Sequence, residues 1–222
     1  MKAPVLTIDG PSGAGKGAVS ARVAAALGWN VLDSGAVYRS VALAALESGV
    51  NTRDETALVR LCRNLDLSFR PGEDGIEAYL SGRHLGNALR AEEVGVASSQ
   101  VASVPAVRSA LLDLQRSFCR PPGLVADGRD MGTVVFPEAQ AKVFLDASVE
   151  ERARRRYRQL KEKGEDVIFD RLINDLEQRD RRDRERAVSP TIPADDAVVV
   201  DSTSLGLEEV VEQVLGIVRR HV

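Results

Sequence analysis

Eight residues near the amino terminus, Gly10-Pro11-Ser12-Gly13-Ala14-Gly15-Lys16-Gly17, carry the densest chemical signal in the chain. A glycine-rich turn can aim several backbone N–H groups into one concavity, as a phosphate group requires, and a helix starting behind it adds a favourable dipole. Lys16 brings a positive charge on a flexible stem to the outermost phosphates. The spacing, glycine, four residues, glycine, lysine, is that of a nucleotide phosphate loop. That motif continues with a Ser or Thr whose hydroxyl serves Mg²⁺. Here Lys16 is followed by Gly17 and Ala18, and a methyl group can do neither job. Ser12 and Ser20, by their hydroxyls, and Asp127, by its carboxylate, are nearby groups able to substitute. Mg²⁺ shared with phosphates keeps several waters and needs few protein ligands.

Three further stretches concentrate polar chemistry. In Leu32-Asp33-Ser34-Gly35-Ala36-Val37-Tyr38-Arg39-Ser40, the Asp33-Ser34 pair ends an apolar run, and Arg39 lies one helical turn beyond Gly35. Arg39 can clamp a phosphate bidentately; Asp33 and Ser34 also suit a helix cap. In Ala126-Asp127-Gly128-Arg129-Asp130, two acids and an arginine follow a second apolar run within four positions, a density seldom found at a buried strand end without a ligand to offset desolvation. Between Glu177 and Ala187, Arg179, Asp183 and Arg186 fall at helical spacing on one face. Most charges between Arg152 and Arg186 alternate in sign, as on a solvated helix with i,i+4 pairs.

The elements that must position these groups read as alternating strands and helices. Pro4–Asp9 is a short apolar run ended by a Gly/Pro turn, hence a buried parallel strand, and Lys16 to about Leu27 is a helix stopped by Gly28. Strands are also expected over residues 31–35, 123–127, 141–146 and 197–201. Helices are expected over 36–48, 56–64, 92–118 with a break at Pro105, 150–163, 166–186 and 204–221. Residues 65–89 differ: Pro71-Gly72, Asp74-Gly75, Ser81-Gly82 and Gly86-Asn87 punctuate short alternating runs, predicting two or three antiparallel strands inserted in an α/β chain. Strands alternating with helices predict a parallel sheet covered on both faces.

Composition narrows the function. The 222 residues fit one domain with an insertion, and scarce aromatics leave a core of Ala, Val and Leu. A net charge of −3 gives no global basic field, so no nucleic-acid partner is expected. Cys62 and Cys119 lack metal-like spacing to each other or to His84 and His221, so they read as reduced thiols. No signal peptide or membrane-spanning run is visible, and a cytoplasmic location is expected.

Taken together, these stretches resemble bacterial cytidylate kinases, the CMP/dCMP kinases of the nucleoside monophosphate kinase group. The resemblance covers essentially the whole chain. It rests on TIDGPSGAGKG, LDSGAVYR, ASSQVA, ADGRDMGTVVFP, FLDAS, QRDRRDRERAV and VVVDST in family order; DGRDMGTVVFP is the most specific. It implies a P-loop NTPase-type parallel sheet flanked by helices, with a small antiparallel β insert and a short lid. One domain over 1–222 would comprise a core of about 1–61 and 96–222, an acceptor-binding insert of about 62–95 and a lid of about 152–166. It further implies transfer of the γ-phosphoryl of ATP to CMP or dCMP with Mg²⁺, by a monomer, with Lys16, Arg129 and Arg186 catalytic. Gly10, Pro11, Ser12, Gly13, Ala14, Gly15, Lys16, Gly17 and Ala18 would hold the ATP phosphates. Ser34, Tyr38, Ser99, Arg108 and Asp130 would lie against the cytosine. Arg39 and Arg129 would hold the acceptor phosphate, Arg179 and Asp183 the sugar and phosphate side, and Arg186 the base or the transferring group. Asp127 would serve the metal, directly or through water, and arginines of the 152–158 run would cover ATP. The departure is Ala18, where the family normally has Thr. It leaves open a slowed or lost catalysis, and a different acceptor such as UMP remains the other alternative.

Overall fold

The structure is a computed structural model that describes residues 3–73, 75–162, 164–185 and 188–222, with Arg90 described by its backbone alone. Arg186 therefore lies outside the described residues. Five strands form one parallel sheet: β1 (Val5–Asp9), β2 (Asn30–Asp33), β6 (Leu124–Asp127), β7 (Ala141–Asp146) and β8 (Val198–Asp201), in the order β2-β6-β1-β7-β8. All five residues of β1 are buried, as expected of a central strand covered on both faces. Its side chains alternate between two cores. Leu6 and Ile8 pack with Val19 and Val23 of α1 (Lys16–Leu27) and with Val210, Val214 and Ile217 of α8 (Leu207–His221). Val5 faces the opposite core, which gathers Val37 and Val41 of α2 (Ser34–Glu47), Leu58 of α3 (Glu55–Arg63), Val94 and Val101 of α4 (Glu92–Ala102) and Leu111 of α5 (Pro105–Ser117).

Helix boundaries follow local chemistry. Gly28 ends α1 at φ 66°, its N–H bonded to Ala24 O, and Asp33 caps α2 by accepting the Ala36 N–H at 2.8 Å. Pro105 starts α5 in the first turn, where its missing N–H is harmless. The next two helices, α6 (Val149–Glu162) and α7 (Phe169–Glu185), carry the arginine-rich stretch. The expected helix from Asp166 starts three residues later, at Phe169. Two features are unannounced in the sequence: a 3₁₀ turn over Gly86–Arg90 and a single π turn over Met131–Val135.

The irregular segment is a three-stranded antiparallel sheet of β3 (Leu67–Gly72), β4 (Gly75–Leu80) and β5 (Arg83–His84), as the turn residues predict. Phe69 and Ile76 pack against the α1 side of the core. The hairpin tip reaches the start of α1: a Cβ on Gly75 would lie 3.7 Å from the Gly17 carbonyl.

Strand register brings the polar residues to one edge. Ile8 and Asp33 both stand beside Asp127, and Asp9 stands beside Phe144. Asp9, Asp33 and Asp127 therefore share the carboxyl end of the sheet, where open α/β folds bind ligands. Gly10 allows the chain to leave β1 there. It has φ 145°, and a Cβ on it would fall 2.0 Å from Leu145 O. Gly10→Ala is expected to destabilise the fold by about 3 kcal/mol. The loss should appear as a lower urea midpoint with an unchanged slope.

Candidate functional site

The loop between β1 and α1 is held from outside by its carbonyl oxygens. Lys16 Nζ donates to Pro11 O at 2.9 Å, Arg152 Nη1 to Ser12 O at 3.0 Å, and Arg155 Nη1 to Ala14 O at 3.2 Å. Gly13 and Gly15 take φ 82° and 94°, conformations that glycine adopts without strain. No side chain caps α1, and its first turn carries no acid. Its amino-terminal N–H groups and dipole thus remain for an anion. Pro11, Ala14 and Lys16 are buried, while Ser12 and Gly17 are half-buried and Gly13 is exposed.

Carboxylates close one side. Asp127 Oδ1 lies 4.0 Å from Lys16 Nζ, and Asp127 Oδ2 would lie 3.6 Å from a Cβ on Gly17. Burial works against every charge here. It lowers Lys16 to about 8, with Arg129 pushing the same way and Asp127 opposing. It raises Asp127 to about 7 against the attraction of Lys16. The site thus holds a lysine and a carboxylate both driven toward their neutral forms by lost hydration.

The opposite side is built from three arginines remote in sequence. Arg39 on α2 pairs with Asp33 at 3.2 Å. Arg129, after β6, pairs with Asp183 of α7 at 3.2 Å and also donates to Gly128 O. Arg179 has surface exposed to solvent, yet its guanidinium is crowded. Burial of the charge, then Arg129, lower its pKa, Asp183 opposes, and Arg39 and Arg182 add to the repulsion. Converging cations of this kind are satisfied by an anion. Beside them Arg108 Nη2 donates to Asp130 Oδ2 at 2.6 Å, and the Arg108 guanidinium lies 5.5 Å from the centre of the Tyr38 ring. Asp130, Tyr38 and Ser34 are all buried. The result is a small wall with a fixed donor, a fixed acceptor and an aromatic face.

Sequence reasoning placed most of these residues in one cleft, with exceptions. Ser99 is exposed on α4, and its hydroxyl donates to Gly95 O within that helix rather than to Arg108 or Asp130. Of the groups weighed as substitutes for a hydroxyl at position 18, Ser20 is excluded: it is 0% exposed, and its Oγ is buried with no hydrogen-bond partner among the described residues. Ser12 and Asp127 remain at the loop. Of the arginines expected to cover ATP, Arg152 is buried beneath the loop, while Arg154 and Arg158 are exposed and pair with Glu151.

The family model for cytidylate kinase matches residues 6–220. The chain belongs to the cytidylate kinase family. The cytidylate kinase of Aeromonas hydrophila subsp. hydrophila is 56% identical over 213 residues, covering 96% of this chain and 93% of its own. That of Methylococcus capsulatus (strain Bath) is 57% identical, covering 98% of both, and that of Vibrio cholerae is 57% identical, covering 96% and 94%.

One residue of this cytidylate kinase fold was not singled out in the sequence. Asp9 ends β1, and its two carboxylate oxygens accept the N–H groups of Met131 and Gly132, each at 2.8 Å. It thereby anchors the turn that carries Arg129 and Asp130. Burial raises Asp9 to about 6 despite these two bonds. Its one advance signal was a carboxylate at the carboxyl end of a buried strand, directly before the glycines.

The depressed pKa of Lys16 gives a proton-linkage expectation. A bound polyphosphate favours the ammonium and raises its pKa, so ATP binding near pH 8 takes up protons. Calorimetric titrations at pH 8 in buffers of different ionisation enthalpy should show a buffer-dependent binding enthalpy for the parent. Lys16→Met should abolish most of that dependence.

Proposed function

We propose that this protein transfers the γ-phosphoryl group of ATP to CMP or dCMP, giving ADP and CDP or dCDP. The observation that supports this reading best is the juxtaposition at one sheet edge of a phosphate loop, the Arg39–Arg129–Arg179 cluster and the Arg108–Asp130 wall. They supply a donor-phosphate site, an acceptor-phosphate site and a base-reading site. On this reading Gly10–Ala18 receive the ATP phosphates, with Lys16 on the transferring group. Arg39 and Arg129 hold the acceptor phosphate, with Arg179 and Asp183 on its sugar side. Ser34, Tyr38, Arg108 and Asp130 surround the base, and Ser99 joins them only if it turns away from Gly95 O. Arg186 completes the cationic set as implied by the family pattern.

Cytosine suits the wall chemically. The Asp130 carboxylate accepts from the exocyclic amine, and Arg108 donates to the ring nitrogen and carbonyl. Uracil would present a carbonyl oxygen to Asp130, so UMP is disfavoured by repulsion between two acceptors.

The residues also fit Mg²⁺. Among the described residues no group of three or more His, Cys, Asp or Glu side chains is arranged to hold a metal by itself. Asp127, with Asp33 in register beside it, supplies hard oxygen donors next to the phosphate loop. This is the sparse set expected of Mg²⁺ that shares its shell with phosphates and water. When bound, Mg²⁺ would neutralise charge on the nucleotide phosphates. Phosphoryl transfer passes through a loose transition state, so the chain's task is alignment and charge neutralisation. Lys16 and the loop N–H groups hold the donor, and Arg39 and Arg129 hold the acceptor. The attacking oxygen already belongs to a phosphate anion, so no strong general base is required. We assign the core, insert and lid to about 1–61 with 96–222, 62–95 and 152–166. Exposed Arg154 and Arg158 are then available to close over ATP and exclude water. A monomer in the cytoplasm is the simplest setting; no helix among the described residues is long and apolar enough to cross a membrane.

A coupled ADP-release assay with ATP and Mg²⁺ tests the proposal against CMP, dCMP, UMP and AMP. Turnover should be selective for CMP and dCMP, and silence with all four at high enzyme concentration would refute it. Ala18→Thr should raise kcat by about ten- to hundredfold, the value of one charge-assisted hydrogen bond in the transition state. A silent parent with an active Ala18→Thr would instead favour a nucleotide-binding protein disabled at that position. Asp130→Asn should reduce kcat/KM for CMP more than for UMP, because it removes half of the acceptor character that selects the amine.

A further inference from the structure

Arg152 belongs to the run expected to cover ATP, but its geometry gives it other work. It is 3% exposed, and its guanidinium joins three segments. Nε donates to Ala147 O at the end of β7 at 2.9 Å, Nη1 to Ser12 O in the phosphate loop at 3.0 Å, and Nη2 to Asp180 Oδ2 on α7 at 2.6 Å. The loop rests directly on it: a Cβ at Gly13 would stand 3.2 Å from Arg152 Cβ. Asp180 in turn sits on α7 between Arg179 and Asp183, and Asp183 reaches across to Arg129. One buried ion pair therefore connects the wall of the donor site to the helix that carries part of the acceptor site.

Stability does not account for the pair. A buried ion pair is often no more stabilising than well-packed apolar side chains of similar volume. This one is also incompletely satisfied among the described residues, where buried Asp180 Oδ1 has no hydrogen-bond partner. What apolar packing could not reproduce is direction. The planar fork fixes three acceptors on three segments at set angles. By taking up the Ser12 carbonyl, it also fixes the Ser12–Gly13 peptide plane, whose single N–H points away from that carbonyl.

We infer that Arg152 and Asp180 are a positioning pair that sets the donor phosphate loop and the acceptor-side helix α7 in register, touching neither nucleotide. The inference rests on the phosphoryl-transfer reading above. In-line transfer is sensitive to separation, and a misplacement of about 1 Å can lower the rate a hundredfold. The pair thus acts through alignment, and its signature is a fall in kcat that loss of stability does not explain.

The test replaces both partners with apolar side chains of similar size, Arg152→Met with Asp180→Leu, in the full chain. Thermal unfolding should stay within a few degrees of the parent, because no buried charge is left unpaired. The kcat for CMP should fall by about ten- to hundredfold, with smaller changes in both KM values. Arg152→Lys, which keeps the charge but cannot reach three acceptors in one plane, should recover part of that loss. A double variant with the parent's kcat and KM values would overturn the inference. If the double variant fails to fold, Arg152→Lys decides alone: a parent-like kcat and KM for ATP would equally overturn it. A parent that does not turn over CMP would refute the functional reading instead. The pair is then judged by calorimetric titration with ATP and Mg²⁺, where weaker binding by the folded variant supports its hold on the loop and unchanged affinity refutes it.

Discussion

The structure depends on keeping charge in a place that resists it. Lys16, Arg39, Arg129 and Arg179 converge on the carboxyl edge of a sheet whose interior is apolar, and Asp9, Asp33 and Asp127 stand at the same edge. Burial drives Lys16 down to about 8 and Asp127 and Asp9 up to about 7 and 6. Carboxylates relieve some of the repulsion among the cations, but the Arg179 guanidinium remains crowded. On the proposed reading, phosphate groups supply the missing negative charge, and the burial that works against these charges would strengthen their hold on polyphosphate, because electrostatic interactions grow where water is excluded.

Around that edge the fold works as a clamp on backbone direction. In the loop between β1 and α1, Arg152 and Arg155 of α6 take the Ser12 and Ala14 carbonyl oxygens and the loop's own Lys16 takes that of Pro11, leaving the backbone N–H groups for a ligand. At the facing turn Asp9 does the reverse, collecting two N–H groups so that Arg129 and Asp130 are presented outward. Both devices spring from β1 or lie against it. The acceptor-side arginines reach the same place from α2, from the β6 turn and from α7, elements separated by most of the chain. The hairpin of β3 and β4 adds a contact from the insert to the start of α1 at Gly75 and Gly17.

Ala18 fits this picture as a local loss within an intact frame. The side chains that hold the loop, Lys16, Arg152 and Arg155, act on its carbonyls and do not involve position 18. On the proposed reading, the missing hydroxyl removes one contact to the nucleotide and leaves the concavity in place. Asp127, the nearest carboxylate to the loop lysine, and the half-buried Ser12 remain as polar groups on that side.

The sequence by itself determined the strands, the glycine turns and the hairpin insert, because each rests on local rules of periodicity, φ and breaker residues. Lys16 in its glycine loop and the dense charges of Arg129 and Asp130 after a buried strand mark a candidate cleft by local pattern, whereas Arg179 and Asp183, which on their own read as a solvated charged helix, are drawn into it only by the family resemblance. Tertiary structure decided what local pattern does not encode. The π turn at Met131 depends on a carboxylate more than 120 residues away, at Asp9. Ser20, one helical turn beyond Lys16, faces the core because the rotation of α1 is set by packing against the sheet. Arg152 and Arg155 look like their neighbours in a repetitive charged run. Only the crossing of α6 over the loop separates buried Arg152 and half-buried Arg155 from the exposed arginines, since a 3.6-residue period distributes identical side chains over faces that meet different surroundings.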